Sequence, residues 1–166
     1  RKRWRPDLHF LFGNHENRIN RAINAAPKYA GMIGEHHLTT DGWKRHGYLE
    51  RLWLDGLLYS HFFQSSHSSY AIGGTIDNRL NKIGCSFVQG HEQGFRYGTR
   101  IQASGANWHG LVAGSFYLHD EDYRGAQGQE HWRGIVVLNE VRGGDYCVMP
   151  LTVDYLCRWA EGVSVG

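Results

Sequence analysis

Three short apolar runs, far apart in the chain, each read as a strand and each lead into a side chain able to bind a metal. Leu8-His9-Phe10-Leu11-Phe12 runs into Gly13-Asn14-His15-Glu16, Leu57-Leu58-Tyr59-Ser60 into His61, and Cys85-Ser86-Phe87-Val88-Gln89 into Gly90-His91. Continuous apolar runs of this length fit buried strands. After the first run, Ile19, Ala22, Ile23 and Ala26 recur at helical spacing, with Arg18, Asn20, Arg21 and Asn24 on other faces. This predicts an amphipathic helix closed by Pro27. Asn14 and His15 then fall in a strand-to-helix turn, where α/β sheets bind ligands outside the carboxyl ends of their strands.

Further along, Leu52 to Phe63 holds a strand with a turn at Asp55-Gly56. A polar loop from Gln64 to Gly74 follows His61, placed to cover or line a site. Thr75 or Asp77 caps a short helix carrying Leu80 and Ile83, and Gly84 ends it. Beyond residue 99 strands and turns dominate: Leu111 to Gly114, Gly134 to Leu138 and Tyr146 to Met149, with Asn139 to Asp145 as a hairpin connection. A short helix near Asp154 to Ala160 completes the pattern, while residues 28–50 give no clear period. The expected class is α/β, with a β-rich second half.

The 166 residues suffice for one domain with a real core, and 41% hydrophobic with 20% charged residues is ordinary for a globular protein. A net charge of +2 does not call for a nucleic-acid partner. Only Arg1-Lys2-Arg3-Trp4-Arg5 is densely basic, and it reads as a solvated end before it reads as a phosphate-backbone contact. No run is long enough for a membrane span, and Pro6-Asp7 after the basic start gives no secretory signal. Cys85, Cys147 and Cys157 show no paired spacing; each is expected as a small buried hydrophobe in a reducing cytoplasm. The chain opens without Met on a basic run leading straight into a strand, so an N-terminally incomplete domain is expected.

There are 11 histidines, and His9, His36, His37, His46, His109 and His131 are expected as structural or surface residues. His15, His61 and His91 differ because each ends a buried-strand pattern. Imidazole suits Mn, Fe, Ni and Zn, and an amide oxygen suits the harder of these ions.

The order Gly13-Asn14-His15-Glu16, strand-end His61, Gly90-His91 resembles the calcineurin-like metallophosphoesterases over roughly residues 6–118. Gly73-Gly74-Thr75 through Asn78-Arg79-Leu80-Asn81-Lys82 to Gln89-Gly90-His91-Glu92-Gln93-Gly94-Phe95-Arg96 is similar to phosphoesterases encoded by tailed phages. So are His119-Asp120-Glu121-Asp122-Tyr123-Arg124-Gly125 and His131-Trp132-Arg133-Gly134. The resemblance implies a single domain, residues 1–166, forming the C-terminal two-thirds of a four-layer α/β/β/α sandwich. It also implies the cytoplasm, that of the host if the chain is phage-encoded, and no membrane partner.

In that family Asp-x-His, Gly-Asp-x-x-Asp, Gly-Asn-His-Asp/Glu, a lone His and Gly-His-x-His build two adjacent metal sites. The resemblance implies that Asn14, His61 and His91 ligate one metal and that His15 assists the leaving oxygen. Glu16 either orients His15 or places a charge in a helix's first turn. The implied reaction is hydrolysis of phosphate mono- or diesters, nucleotides or nucleic acid among them. A hydroxide activated by two divalent ions, Mn foremost with Fe, Ni or Zn as alternatives, carries it out.

Two departures qualify this. Neither Asp-containing motif precedes Gly13, so a longer chain or a partner chain is expected to supply those ligands. Gln93 stands where the second metal's His belongs, with Gln93 or Glu92 as the substitute. The alternative is therefore a non-catalytic binding or assembly module, or half of a split enzyme. Phe12, where protein Ser/Thr phosphatases carry Arg, argues against that branch.

Arg79, Arg96 and Arg124, in or next to loops, are candidate substrate-phosphate contacts. His119 to Asp122 reads as a solvated turn before a cation site. Trp108, Trp132, Tyr97, Tyr117 and Tyr123 are expected in the core or on sheet faces.

Overall fold

The computed structural model describes residues 5–120, 125 and 131–162. The residues Arg1 to Trp4 of the basic start, and Glu121, Asp122, Tyr123 and Arg124, lie outside them. The chain is α/β, and it divides into two compact units, Arg1–Leu52 and Trp53–Gly166.

In the first unit, β1 (His9–Leu11) pairs in parallel with β2 (Lys44–His46), placing Leu11 beside His46. The expected helix is α1 (Asn17–Ala25), and Pro27 follows as the start of a 3-10 turn, Pro27–Tyr29. A second such turn covers Glu35–His37. The strand β2 is three polar residues, so it has no hydrophobic period to read. Its pairing comes from the β1 ladder, continued by the Phe12 N–H donating to the His46 carbonyl at 3.0 Å.

In the second unit, β3 (Leu52–Leu54), β4 (Leu57–Ser60), β5 (Phe87–Gln89), β6 (Phe95–Ile101) and β7 (Asn107–Ala113) form a five-stranded sheet in the order β3-β4-β5-β7-β6. Strands β4, β5 and β7 run parallel, and β6 closes the edge antiparallel to β7. Asp55 (φ 50°) and Gly56 (φ 82°) make the left-handed turn that was expected between β3 and β4. The strand expected over Cys85 to Gln89 starts at Phe87, and that expected over Leu111 to Gly114 starts at Asn107. Strand β6 begins at Phe95, ahead of the β-rich region expected beyond residue 99.

Helix α2 (Ile76–Ile83) links β4 to β5. The Thr75 hydroxyl accepts the Asn78 N–H at 3.2 Å, and left-handed Gly84 closes the helix. Its apolar side joins Leu58, Phe63, Ile72, Phe87 and Val112 in one buried cluster. Two cross-strand glycines, Gly98 and Gly110, let it settle. A Cβ on Gly110 would lie 2.6 Å from Ile76 Cγ2, and one on Gly98 3.1 Å from the same atom.

A hairpin, β8 (Gly134–Arg142) and β9 (Asp145–Thr152), leads into α3 (Val153–Ala160). The connection is tighter than the expected Asn139 to Asp145: only Gly143 and Gly144 turn, and an irregularity falls between Asn139 and Arg142.

The expectation of three buried cysteines is corrected. Cys147 is exposed, and Cys85 and Cys157 are half-buried. On β9 the inward residues are Tyr146 and Val148, so alternation turns Cys147 outward. Trp108 packs against the core and Trp132 lies 4.9 Å from Phe95, as expected of sheet-face aromatics. Among the described residues, no helix is long and apolar enough to cross a membrane.

Candidate metal centre

Parallel pairing places Ser60 of β4 beside Gln89 of β5, so the two strands end together and His61 and Gly90 follow side by side. The chain then crosses from the end of β5 to the start of β6 through Gly90-His91-Glu92-Gln93-Gly94, beside the carboxyl end of β7. His91 turns back within this crossing, and its Nδ1 lies 3.2 Å from His61 Nε2. The rings meet edge to face at 5.0 Å, with Phe62 4.8 Å from the His91 ring. Two imidazole nitrogens at this separation suit one first-row divalent ion at about 2.1 Å from each.

That geometry depends on a strained residue. His91 has φ 66°, a conformation that costs a non-glycine residue about 1–2 kcal/mol. The Glu92 N–H donates to the Gly90 carbonyl at 2.8 Å, closing a tight turn around His91. Arg79 donates to the Glu92 carboxylate through Nη2, and Arg96 Nη1 stands 3.8 Å from the same carboxylate.

The sequence places Arg79 in or next to a loop, available to substrate. It lies within α2 and is 1% exposed, its Nε donating to the Gly74 carbonyl at 3.1 Å. Arg96 is half-exposed on β6 and donates to the same carbonyl at 3.4 Å. Glu92 is thus engaged by arginines.

Several polar atoms near these strand ends are buried without a hydrogen-bond partner: Ser60 Oγ, both side-chain heteroatoms of Gln89, Arg79 Nη1 and Gln93 Oε1. Buried polar groups are seldom left unpaired, and such orphans commonly mark places where water or an ion enters. The amide oxygen of Gln93, the expected substitute ligand, is one of them. Imidazole nitrogens and an amide oxygen are donor types that suit a divalent transition metal.

The first unit presents its own strand end. Asn14 is half-buried and His15 exposed in the β1–α1 turn. The Glu16 carboxylate accepts the Gly13 N–H at 2.8 Å, bracing the turn that carries both. Its bond is thus to backbone just ahead of the helix, the half of a capping box in which a Glu reaches back to a free N–H.

Sequence reasoning missed two histidine networks. His9 Nδ1 lies 2.9 Å from His46 Nε2, and His46 Nδ1 lies 3.0 Å from Glu50 Oε1. His109, 3% exposed on β7, contacts Tyr97 Oη at 2.8 Å and Asp145 Oδ1 at 2.5 Å. Burial, then the Asp145 charge, pushes the Tyr97 phenol up. Arg79 carried a readable signal, since it shares a helix face with Ile76, Leu80 and Ile83. A cation on an apolar stripe announces a buried partner.

His119 stacks on Tyr117 at 4.8 Å, and Asp120 pairs with Arg133 at 2.8 Å. Among the described residues, no three histidine, cysteine, aspartate or glutamate side chains form a group that could hold a metal ion. No protein-family model, curated protein or solved structure matches this chain.

Proposed function

We propose that this chain carries part of the metal centre of a metallophosphoesterase, with His61 and His91 as ligands of one divalent ion. The observation that supports this reading is the 3.2 Å approach of their nitrogens at the joined ends of two parallel strands. Strand ends of this kind hold ligands rigidly, and rigidity of that order is what metal chemistry requires. When bound, divalent ions supply an acidified water and neutralise charge on the phosphoryl oxygens.

The chain's own residues have separate tasks. His61 and His91 present imidazole nitrogens. Gln93 offers a buried amide oxygen in place of the family's second histidine. On the motif resemblance, Asn14 is an amide ligand, and His15 holds the proton passed to the leaving oxygen. Glu16 keeps that turn in shape through Gly13. The four-layer sandwich, the cytoplasmic setting and a phosphate mono- or diester substrate belong to the same proposal.

The test begins with binding. Equilibrium dialysis of the full chain against Mn2+ and Co2+ is expected to show uptake that His61→Ala and His91→Ala each weaken at least 10-fold. Hydrolysis of bis-p-nitrophenyl phosphate is then followed in the full-length protein. His15→Gln is expected to lower kcat by about 10²–10⁴ with metal uptake unchanged. Unchanged uptake in both His61→Ala and His91→Ala would sink the reading.

A further inference from the structure

We propose that the buried Arg79–Glu92 ion pair is a positioning strut that holds His91 toward His61. The proposal rests on the metal-centre reading for its purpose, but its geometry stands alone.

Three observations carry it. First, Arg79 is 1% exposed, and its guanidinium is turned to its neighbours: Nε donates to the Gly74 carbonyl and Nη2 to the Glu92 carboxylate, with only the buried Nη1 left unpartnered. Second, Glu92 directly follows the left-handed residue His91, and its N–H closes that residue's turn on Gly90. Fixing the Glu92 side chain therefore fixes the peptide that aims the His91 ring. A non-glycine residue keeps such a backbone only where its surroundings enforce it. Third, α2 has little freedom to move. Ile76, one helical turn before Arg79, sits in the notch made by Gly98 and Gly110, and Thr75 caps the helix start. The guanidinium is thus anchored to the sheet that carries His61.

The fork of arginine matters. Nε donates to Gly74 while Nη2 donates to Glu92, so one planar group ties the loop before α2 to the loop after β5. A lysine has a single donor head and cannot span both. The same guanidinium that resembled a phosphate contact acts through His91 instead.

The experiment uses the full chain and two readouts. In metal-free protein, ring-proton NOEs between His61 and His91 report their approach. Co2+ titration by visible absorption reports affinity. Glu92→Gln and Arg79→Met are each expected to lose the NOE and to weaken Co2+ binding about 10–100-fold. The double variant should be no weaker than the worse single one, because both remove one interaction. Arg79→Lys should recover part of the affinity and not all of it. Asp77→Asn, which breaks the other ion pair of α2, with Arg100, should stay within twofold of wild type. If Arg79→Met does not fold, Glu92→Gln carries the test.

If His61→Ala abolishes Co2+ binding while Glu92→Gln keeps both NOE and affinity, the strut is wrong and the metal reading stands. If wild type takes up no Co2+, the metal reading fails and the NOE alone decides: its loss in Glu92→Gln upholds the strut, and its survival overturns it.

Discussion

His9 and His46 pair across β1 and β2, with His9 Nδ1 2.9 Å from His46 Nε2. An ionised Glu50 can only accept, so His46 Nδ1 carries the proton it donates at 3.0 Å. In the tautomer with its only proton on Nδ1, His46 accepts at Nε2 and His9 Nδ1 is the donor. The Glu50 carboxyl is held below its ordinary value of 4.5, first by the His46 hydrogen bond and then by the Gly47 N–H.

A carboxylate with a lowered folded-state pKa stabilises the fold above its unfolded value. That contribution disappears as pH falls through the lowered one. Urea unfolding at pH 7 and pH 3 should show wild type losing more stability on acidification than Glu50→Gln. Equal losses in the two proteins would refute the link.

The His109–Asp145 contact joins the β8–β9 hairpin to the sheet of β7, and His109 is also fixed by its backbone N–H donating to Ser86 Oγ at 3.0 Å. Asp145 is largely exposed, so solvent screens the pair. Asp145→Ala should cost about 1 kcal/mol and His109→Ala about 2–3 kcal/mol, since the latter also orphans the Tyr97 hydroxyl. Denaturant midpoints in the reverse order would contradict this picture.

Tyr146 is 5% exposed, and its hydroxyl is buried with no partner. Burial, followed by the charges of Tyr97 and Tyr59, pushes its pKa far above 10.0. Removing an unsatisfied buried hydroxyl should stabilise the protein by about 1 kcal/mol in Tyr146→Phe. The sign on the alkaline side follows from the raised value. Above pH 10 the unfolded chain loses a proton that the folded one keeps, so wild-type stability falls and the variant falls less. A lower melting temperature for Tyr146→Phe at pH 7 would count against the assignment.

Gly110→Ala places a methyl 2.6 Å from Ile76 Cγ2 and 2.8 Å from Phe87 Cε1, inside the buried cluster. Overpacking of this kind costs about 1–3 kcal/mol. Gly98→Ala meets Ile76 at 3.1 Å and should cost less. Because Ile76 sets the seat of α2, Gly110→Ala should also weaken Co2+ uptake; thermal melts and the Co2+ titration together check both effects.

The elements legible from the amino acids are those whose instructions are local. Thr75 and Gly84 bound α2, Asp55-Gly56 and Gly143-Gly144 turn hairpins, and Pro27 follows α1. Strand β2 was invisible because Lys44-Arg45-His46 has no apolar face. Strand β6 was masked by Gly98, a poor strand former at its centre that admits Ile76. The candidate site divides the same way. His61 and His91 were legible as strand-end residues, whereas Glu92 passed for a ligand and Arg79 for a substrate contact.

By itself the sequence determined where strands stop and helices begin, because capping, turn geometry and periodicity act over a few neighbouring residues. It also placed an imidazole after each of β4 and β5. Tertiary structure alone decided that those imidazoles face one another and that Arg79 reaches Glu92. Both depend on the parallel register of β4 with β5 and on how deeply Ile76 sinks between Gly98 and Gly110. Residues distant in sequence meet through packing, and no local preference encodes that depth.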